Sequence, residues 1–304
     1  MKKLYIILYI SILSVFFASA QDFPLHTQYM YNKAAINPGA TGIMGKVSLL
    51  VMHRSQWLKI DGAPTTSNLS FQYPLKKAAF GLDVMYDQAG PITKTMGTLQ
   101  FSYNLELSYS TFLSLGLNAG IYSNKFDIDK LLIKDVDEDL FQNNINTIDF
   151  NVGIGALLYS ETWFVGLSVP NLNMQKYYSG LQSQLDKKIF QAYFLSGYNF
   201  EVSRRSTLQP SVLVRYANGL PISADFSLNM HWNETLITGL AYRLNAAYSL
   251  LLGINVSRQF QIGYSFDLDQ SKIYKSNFGS HEVFLRYFLT KDENSLRYQS
   301  PRFF

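Results

Sequence analysis

Four histidines, His26, His53, His231 and His281, have the most direct claim to chemistry in this 304-residue chain. A hydrolytic zinc site needs two of them on one helical face, as in an HExxH motif, and no such pair exists. The chain has no cysteine, which excludes thiolate nucleophiles, disulfides and sulfur-ligated metals. It also lacks a GxSxG elbow, a Walker loop and a GxGxxG segment following a strand. A serine acting with His231 or His281 is compatible with the sequence, but no motif marks one. The run Asp135, Asp137, Asp139 opens like a calcium loop, which then requires glycine at its sixth position and glutamate at its twelfth. Leu140 and Asn146 stand there, so the stretch from Asp127 to Phe141 reads as a solvated loop with a short helical turn. The expectation is a protein that is not an enzyme and holds no metal or cofactor.

The elements around these residues say more. Lys2 and Lys3, the apolar run LYIILYISILSVFF and the small residues Ala18, Ser19 and Ala20 read as a secretory signal peptide over residues 1–20. That run is too short to be a membrane anchor. Beyond it, 24 basic residues face 22 acidic ones, spread along the chain, so nothing suggests a nucleic-acid footprint. Aromatics make up 15% of the chain, and no later apolar run is long enough to span a bilayer as a helix.

Alternation with a period of two is the strongest signal. In ISADFSLNMHW, Ile222, Ala224, Phe226, Leu228, Met230 and Trp232 share one face, while Ser223, Asp225, Ser227, Asn229 and His231 share the other. The same pattern puts Leu113, Leu115, Leu117, Ala119 and Ile121 opposite Ser114, Gly116, Asn118 and Gly120. It recurs with Ile148, Phe150, Val152, Ile154 and Ala156 opposite Asp149, Asn151, Gly153 and Gly155. Weaker copies near 46–57, 67–73, 78–87, 94–105, 162–169, 188–200, 207–216, 235–243, 246–256, 259–268 and 279–289 bring the total to about fourteen strands.

The fold class is therefore all-β, a transmembrane antiparallel β-barrel with short periplasmic turns and longer extracellular loops. Alternate connections are short, as at Ser160-Glu161, Asn233-Glu234 and Ser257-Arg258, while Ser123 to Thr147, Pro170 to Lys187 and Asp269 to Phe278 are long. Trp57, Trp163, Trp232, Tyr73, Tyr86 and Tyr216 fall near strand ends, where aromatic girdles meet the membrane interface. A secreted β-sandwich or a periplasmic barrel is the alternative. The wet face carries Asp83, Asp149, Asp225, Arg215, Arg243, Glu282 and Arg286, which suit an open channel and a cross-linked, occluded interior equally. The expected division is a signal peptide at 1–20, a periplasmic leader at 21–44, the barrel at 45–289 and a periplasmic tail at 290–304.

The stretch QYMYNKAAINPGATG, from Gln28 to Gly42, fits neither helix nor strand, and with RSQWLKIDGAPTTSNLSF, from Arg54 to Phe71, it resembles the start of the PorP/SprF family of the type IX secretion system of Bacteroidetes. DEDLFQNN (Asp137 to Asn144), DFNVGIGALLYS with FVGLSVPNL (Asp149 to Leu172) and the terminal SPRFF agree with that resemblance. Gly39 stands where alanine is usual in the family. The resemblance implies an outer-membrane barrel that supports secretion and surface anchoring of an adhesin-like partner with a C-terminal sorting domain. It implies other type IX components as periplasmic partners and, in some members, a part in gliding motility.

Tyr29, Asn32, Asn37 and Pro38 match the first motif and are expected to fold under or into the barrel mouth, or only to cap the first strand. Arg54, Gln56 and Trp57 match the second, where Gly62 and Pro64 are explained by turn geometry. Asp137, Asp139 and Phe141, in the loop between Ser123 and Thr147, are candidates for an outside partner, and the tail from Lys291 to Phe304 for a periplasmic one. The competing function is a porin-like diffusion channel or a hydrophobic-solute transporter.

Overall fold

The computed structural model describes residues 26–127, 144–172, 190–218, 220–270 and 277–289. Its wall consists of β1 (Val47–Ser55), β2 (Thr65–Pro74), β3 (Ala78–Ala89), β4 (Ile92–Ser108), β5 (Thr111–Phe126), β6 (Ile145–Tyr159), β7 (Trp163–Val169), β8 (Gln191–Tyr198), β9 (Phe200–Ser203), β10 (Ser206–Ala217), β11 (Ser223–Trp232), β12 (Leu236–Arg243), β13 (Ala247–Asn255), β14 (Phe260–Asp269) and β15 (Ser280–Leu289). β8 and β9 are two halves of one stave, broken at Asn199, where Gln209 Nε2 donates to the Asn199 side chain at 2.9 Å. Pro210, which has no N–H to give, sits across from this break, the kind of irregularity that tolerates proline within a sheet. That leaves fourteen staves, all antiparallel to their neighbours. β15 pairs with β1 and β10 pairs with β11, so the cylinder closes and no edge is left for lipid.

Every expected strand is found, and several run further than expected. β5 runs on to Phe126 and β6 begins at Ile145, so the long connection is shorter than the expected Ser123 to Thr147. The extra rungs pair Ser123 with Ile148 and Lys125 with Asn146. Their polar residues stand beyond the alternating apolar band, so the pattern ends before the hydrogen bonding does. β4 likewise continues to Ser108.

Burial is inverted relative to a soluble protein. Outward residues such as Leu99 (66% exposed), Ile148 (70%) and Phe226 (50%) are bare, while inward Ser102, Ser265 and Glu282 are fully enclosed (0%). Such an exterior is stable only against lipid, which excludes the secreted sandwich. Exposed Tyr73 and Trp232 ring the rim of the short turns, and Tyr86 and Tyr216 ring the other, the two belts expected at membrane interfaces.

The interior departs from the simple wet-face expectation. Leu50, Met52, Leu157, Phe164, Leu195, Leu213, Ile237, Leu251 and Phe284 point inward and form an apolar core with Tyr29, Met30, Tyr31, Ala40 and Ile43 of the leader. Strands such as β1 and β12 are therefore apolar on both faces, which is why their alternation is weak in the sequence.

Candidate functional site

The site is the lumen and the chain that fills it. Residues 26–44 run inside the barrel from the level of the long-loop rim down to the short-turn rim, where β1 begins. Proline, glycine and asparagine break this segment into three short turns, Tyr29–Tyr31, Lys33–Ile36 and Pro38–Ala40. A helix or strand would satisfy its own backbone. This irregular chain instead takes its partners from the wall.

At the top, the buried carboxylate of Glu282 accepts the N–H groups of Thr27 (3.0 Å) and Gln28 (2.9 Å). Arg54, pointing inward from β1, pairs with Asp267 at 2.6 Å and Glu282 at 3.4 Å and donates to Thr27 Oγ1 at 2.8 Å. Thr27 in turn donates to Asp267 at 2.6 Å. A buried ion pair is tolerated when its remaining valences are met, and the leader's own backbone meets those of Glu282.

Halfway down, the Tyr29 hydroxyl lies 3.2 Å from both Ser211 and Ser227, whose hydroxyls are 2.6 Å apart. Tyr29 is thus a hydrogen-bonding pin between the leader and β10 and β11. Arg286 donates to the Tyr31 carbonyl, and the Tyr31 ring meets Phe284 at 4.3 Å. Asn32 Nδ2 donates to Asn68 (2.8 Å) and Asp83 (3.2 Å). Lys33 Nζ lies over the Phe164 ring at 4.7 Å.

At the bottom the leader touches the wall backbone to backbone. Asn37 accepts from Gly39 N at 2.8 Å and donates to the Ala156 carbonyl at 3.0 Å. A Cβ added to Gly116 would lie 2.1 Å from the Pro38 carbonyl carbon, and one on Gly155 would lie 2.1 Å from the Asn37 side-chain oxygen. Only glycine lets Asn37 and Pro38 sit this close to β5 and β6. Ser168 closes onto the Ile36 carbonyl at 2.6 Å, and Ser102 onto that of Thr41 at 2.8 Å.

Above the leader, Arg215 and Arg243 clamp Asp225 at 2.6 and 2.8 Å. Beside Arg215 a cavity of about 80 Å³ lies between the leader, from His26 to Ile36, and the facing wall of β2 to β5, β8 and β10. Among the described residues no group of acidic and histidine side chains could hold a metal ion.

Of the candidate residues, Tyr29, Asn32, Asn37 and Pro38 are all buried along the leader, and Arg54 meets its first residues. Gln56 and Trp57 stay on the rim. Gln56 N donates to Pro64 O at 2.9 Å, and Trp57, in a left-handed conformation (φ 45°), donates its N–H to Ser280 at 3.3 Å. Asp137, Asp139 and Phe141 lie outside the described residues. Nothing in the sequence marks Thr27, Gln28 or Asp267 for this contact, and Gly116 and Gly155 stand there only as inward positions of alternating strands. A readable signal existed for the last two: glycines on the inward face of a strand mark a place where another backbone approaches.

A closed fourteen-stave barrel with a lipid-facing exterior and its own chain lodged in the lumen is a plugged outer-membrane barrel. Residues 18–287 match the family of type IX secretion system membrane proteins PorP/SprF, and the chain belongs to that family. Nothing among curated proteins matches it. Among solved structures it is similar to the monoaromatic hydrocarbon channel CymD, with a TM-score of 0.50 at 12% identity over 88% of this chain and 94% of that one. A FadL homologue of Pseudomonas aeruginosa gives 0.47 at 12% identity, covering 89% and 96%. Omp33 of Acinetobacter baumannii gives 0.47 at 8% identity, covering 80% and 98%. At such identities the likeness is one of fold alone. The chain is an outer-membrane component of the type IX secretion system, a family that works with other secretion components and with secreted cargo.

Proposed function

We propose that this barrel supports secretion and surface anchoring of a partner protein, adhesin-like and carrying a C-terminal sorting domain, and that in a gliding cell it serves motility. The observation that carries the reading is the occupied lumen: with residues 26–44 bonded to the wall from top to bottom, the barrel suits a platform better than a conduit. By the usual asymmetry of outer-membrane barrels, the long connections face outward, to the partner, and the short turns face the periplasm. Residues 1–20 are removed on export, residues 21–44 form the leader, of which 26–44 plug the barrel, and the tail at 290–304 meets periplasmic components of the machinery. Asp137, Asp139 and Phe141 stay candidates for outside contact, as do Gln56 and Trp57 on the rim.

The test is a mild-detergent pull-down of a tagged copy from native outer membranes, read by mass spectrometry, with surface proteins compared in a deletion strain. One large surface protein should co-purify, and should be shed or retained inside when the gene is absent. Normal display of every surface protein in the deletion strain would end this reading. The alternative, a diffusion channel or hydrophobic-solute transporter, predicts solute-dependent conductance by the purified wild-type barrel.

A further inference from the structure

On the outer wall, the apolar pattern of β1 and β2 stops short of the long-loop rim. The outward residues of β1 run Val47, Leu49, Val51, His53 and Ser55, and on β2 Leu69 gives way to Ser67 and Thr65. Register sets His53 across from Ser67 and Ser55 across from Thr65. Exposed Val51 and Leu69 lie one outward position nearer the middle of the bilayer, and Tyr86 of the long-loop belt stands across from Ser67. The polar cluster is therefore level with that belt, where the ester groups of outer-leaflet lipids meet the apolar band.

His53 differs from the other three histidines. His26 lies 3.4 Å from the Glu282 carboxylate inside the barrel, and His231 is on the inward face of β11. His281 faces outward, but its Nε2 lies 3.1 Å from the Phe278 carbonyl, which can only accept. Its Nε2 therefore carries the proton, and its Nδ1 takes the Tyr264 hydroxyl at 2.6 Å. His53 lies between two serines, with Ser67 Oγ 2.9 Å from Nδ1 and Ser55 Oγ 3.2 Å from Nε2. A neutral imidazole has one N–H and one lone pair. In either tautomer one serine receives the N–H and the other gives its proton to the lone pair. That is a nucleophile, a base and an orienting group in a row.

We propose that this cluster is an esterase site that takes an acyl ester of an outer-leaflet lipid from the side of the barrel. Ser67, at the shorter distance, receives the Nδ1 proton and is a positioning residue, which leaves Nε2 as the base and Ser55 as the nucleophile. Ser55 Oγ attacks the ester carbonyl carbon as its proton passes to His53 Nε2, and the Thr65 hydroxyl, on the same face, donates to the oxyanion. Collapse breaks the bond to the alcohol oxygen, which leaves with the proton held by His53. Water then attacks the acyl-Ser55 carbonyl, with His53 again as base, and frees the fatty acid. The activity uses the outer wall and is independent of the anchoring role.

The test reconstitutes the purified barrel into two sets of vesicles, phosphatidylethanolamine alone and lipid A in ether-linked phospholipid. Fatty-acid release is measured, and a fluorophosphonate label is located by mass spectrometry. The wild type should carry the label on Ser55 and release fatty acid from at least one set, which names the lipid. Ser55→Ala and His53→Gln should lower release by about a hundredfold or more. Ser67→Ala should lower it severalfold, with rescue by Ser67→Thr, and His281→Gln should leave it unchanged. Heat-modified migration on gels checks that each variant forms the barrel. Silence from both sets, a label on another serine, or release that survives Ser55→Ala overturns the proposal. An equal loss in His281→Gln also overturns it, since the rim and not the dyad would then be at work.

Discussion

The two ends of the lumen are built differently. Toward the short turns, the plug meets the wall through Ile43, Leu157, Phe164, Ile237 and Leu251 and through glycines that let backbone rest on backbone. Toward the long loops, contact is ionic, with Arg54, Asp267 and Glu282 in one cluster around Thr27, Arg215, Asp225 and Arg243 in another, and a cavity beside Arg215. Apolar packing excludes water and closes a barrel cheaply, while buried charge is costly unless each partner is held in place. The lower half is therefore a seal. The upper half is held by paired polar groups and by the leader's first residues.

Removing the plug should break this comparison most completely. A variant lacking residues 26–42 is expected to form stable open channels in planar bilayers, whereas the intact protein passes no steady current; equal silence from both would mean that the wall closes without the plug. Next comes Arg54→Ala, which leaves Asp267 buried without its ion-pair partner and Glu282 with only His26 at 3.4 Å, and should cost roughly 3–5 kcal/mol. A marked fall in the temperature of heat-modified migration is the readout, and current should stay absent because the lower seal is untouched.

Gly116→Ala tests that lower seal. Its Cβ would enter the Pro38–Gly39 backbone at 2.1–2.4 Å, and overpacking of this kind costs about 1–3 kcal/mol. Gly97→Ala, where nothing lies within 4 Å of the new carbon, should leave the melting temperature unchanged. If both alanines are neutral, the close approach of plug to β5 is not what seats it. Tyr29→Phe is the mildest change: it removes one hydroxyl from the Ser211 and Ser227 pair and should cost about 1 kcal/mol, visible only as a small shift in the same melting measurement.

What was legible in advance follows from how each signal is written. In β11 the outer residues meet lipid and the inner ones, from Ser223 to His231, are polar, so the strand announces itself. In β1, Leu50 and Met52 are as apolar as their outward neighbours because they lie against the plug, and alternation fades. The leader's motif marked Tyr29, Asn32, Asn37 and Pro38 as unusual without showing where they go. Arg54 looked like part of a surface turn motif, yet its position as an inward residue two rungs from Asp267 and opposite Glu282 ties it to Thr27.

Composition and alternation by themselves determined an exported barrel of fourteen strands, because lipid outside and polar groups inside impose a period of two on each stave separately. Such a local rule is readable from one strand at a time. Whether the lumen is open, which charges pair and where the leader lies were decided only by closing the cylinder. Closure brings β1, β14 and β15 around Thr27, and β5, β6 and β7 around Asn37, from places far apart in the chain. Contacts of that range depend on the register of every stave between them, and no local pattern carries that sum.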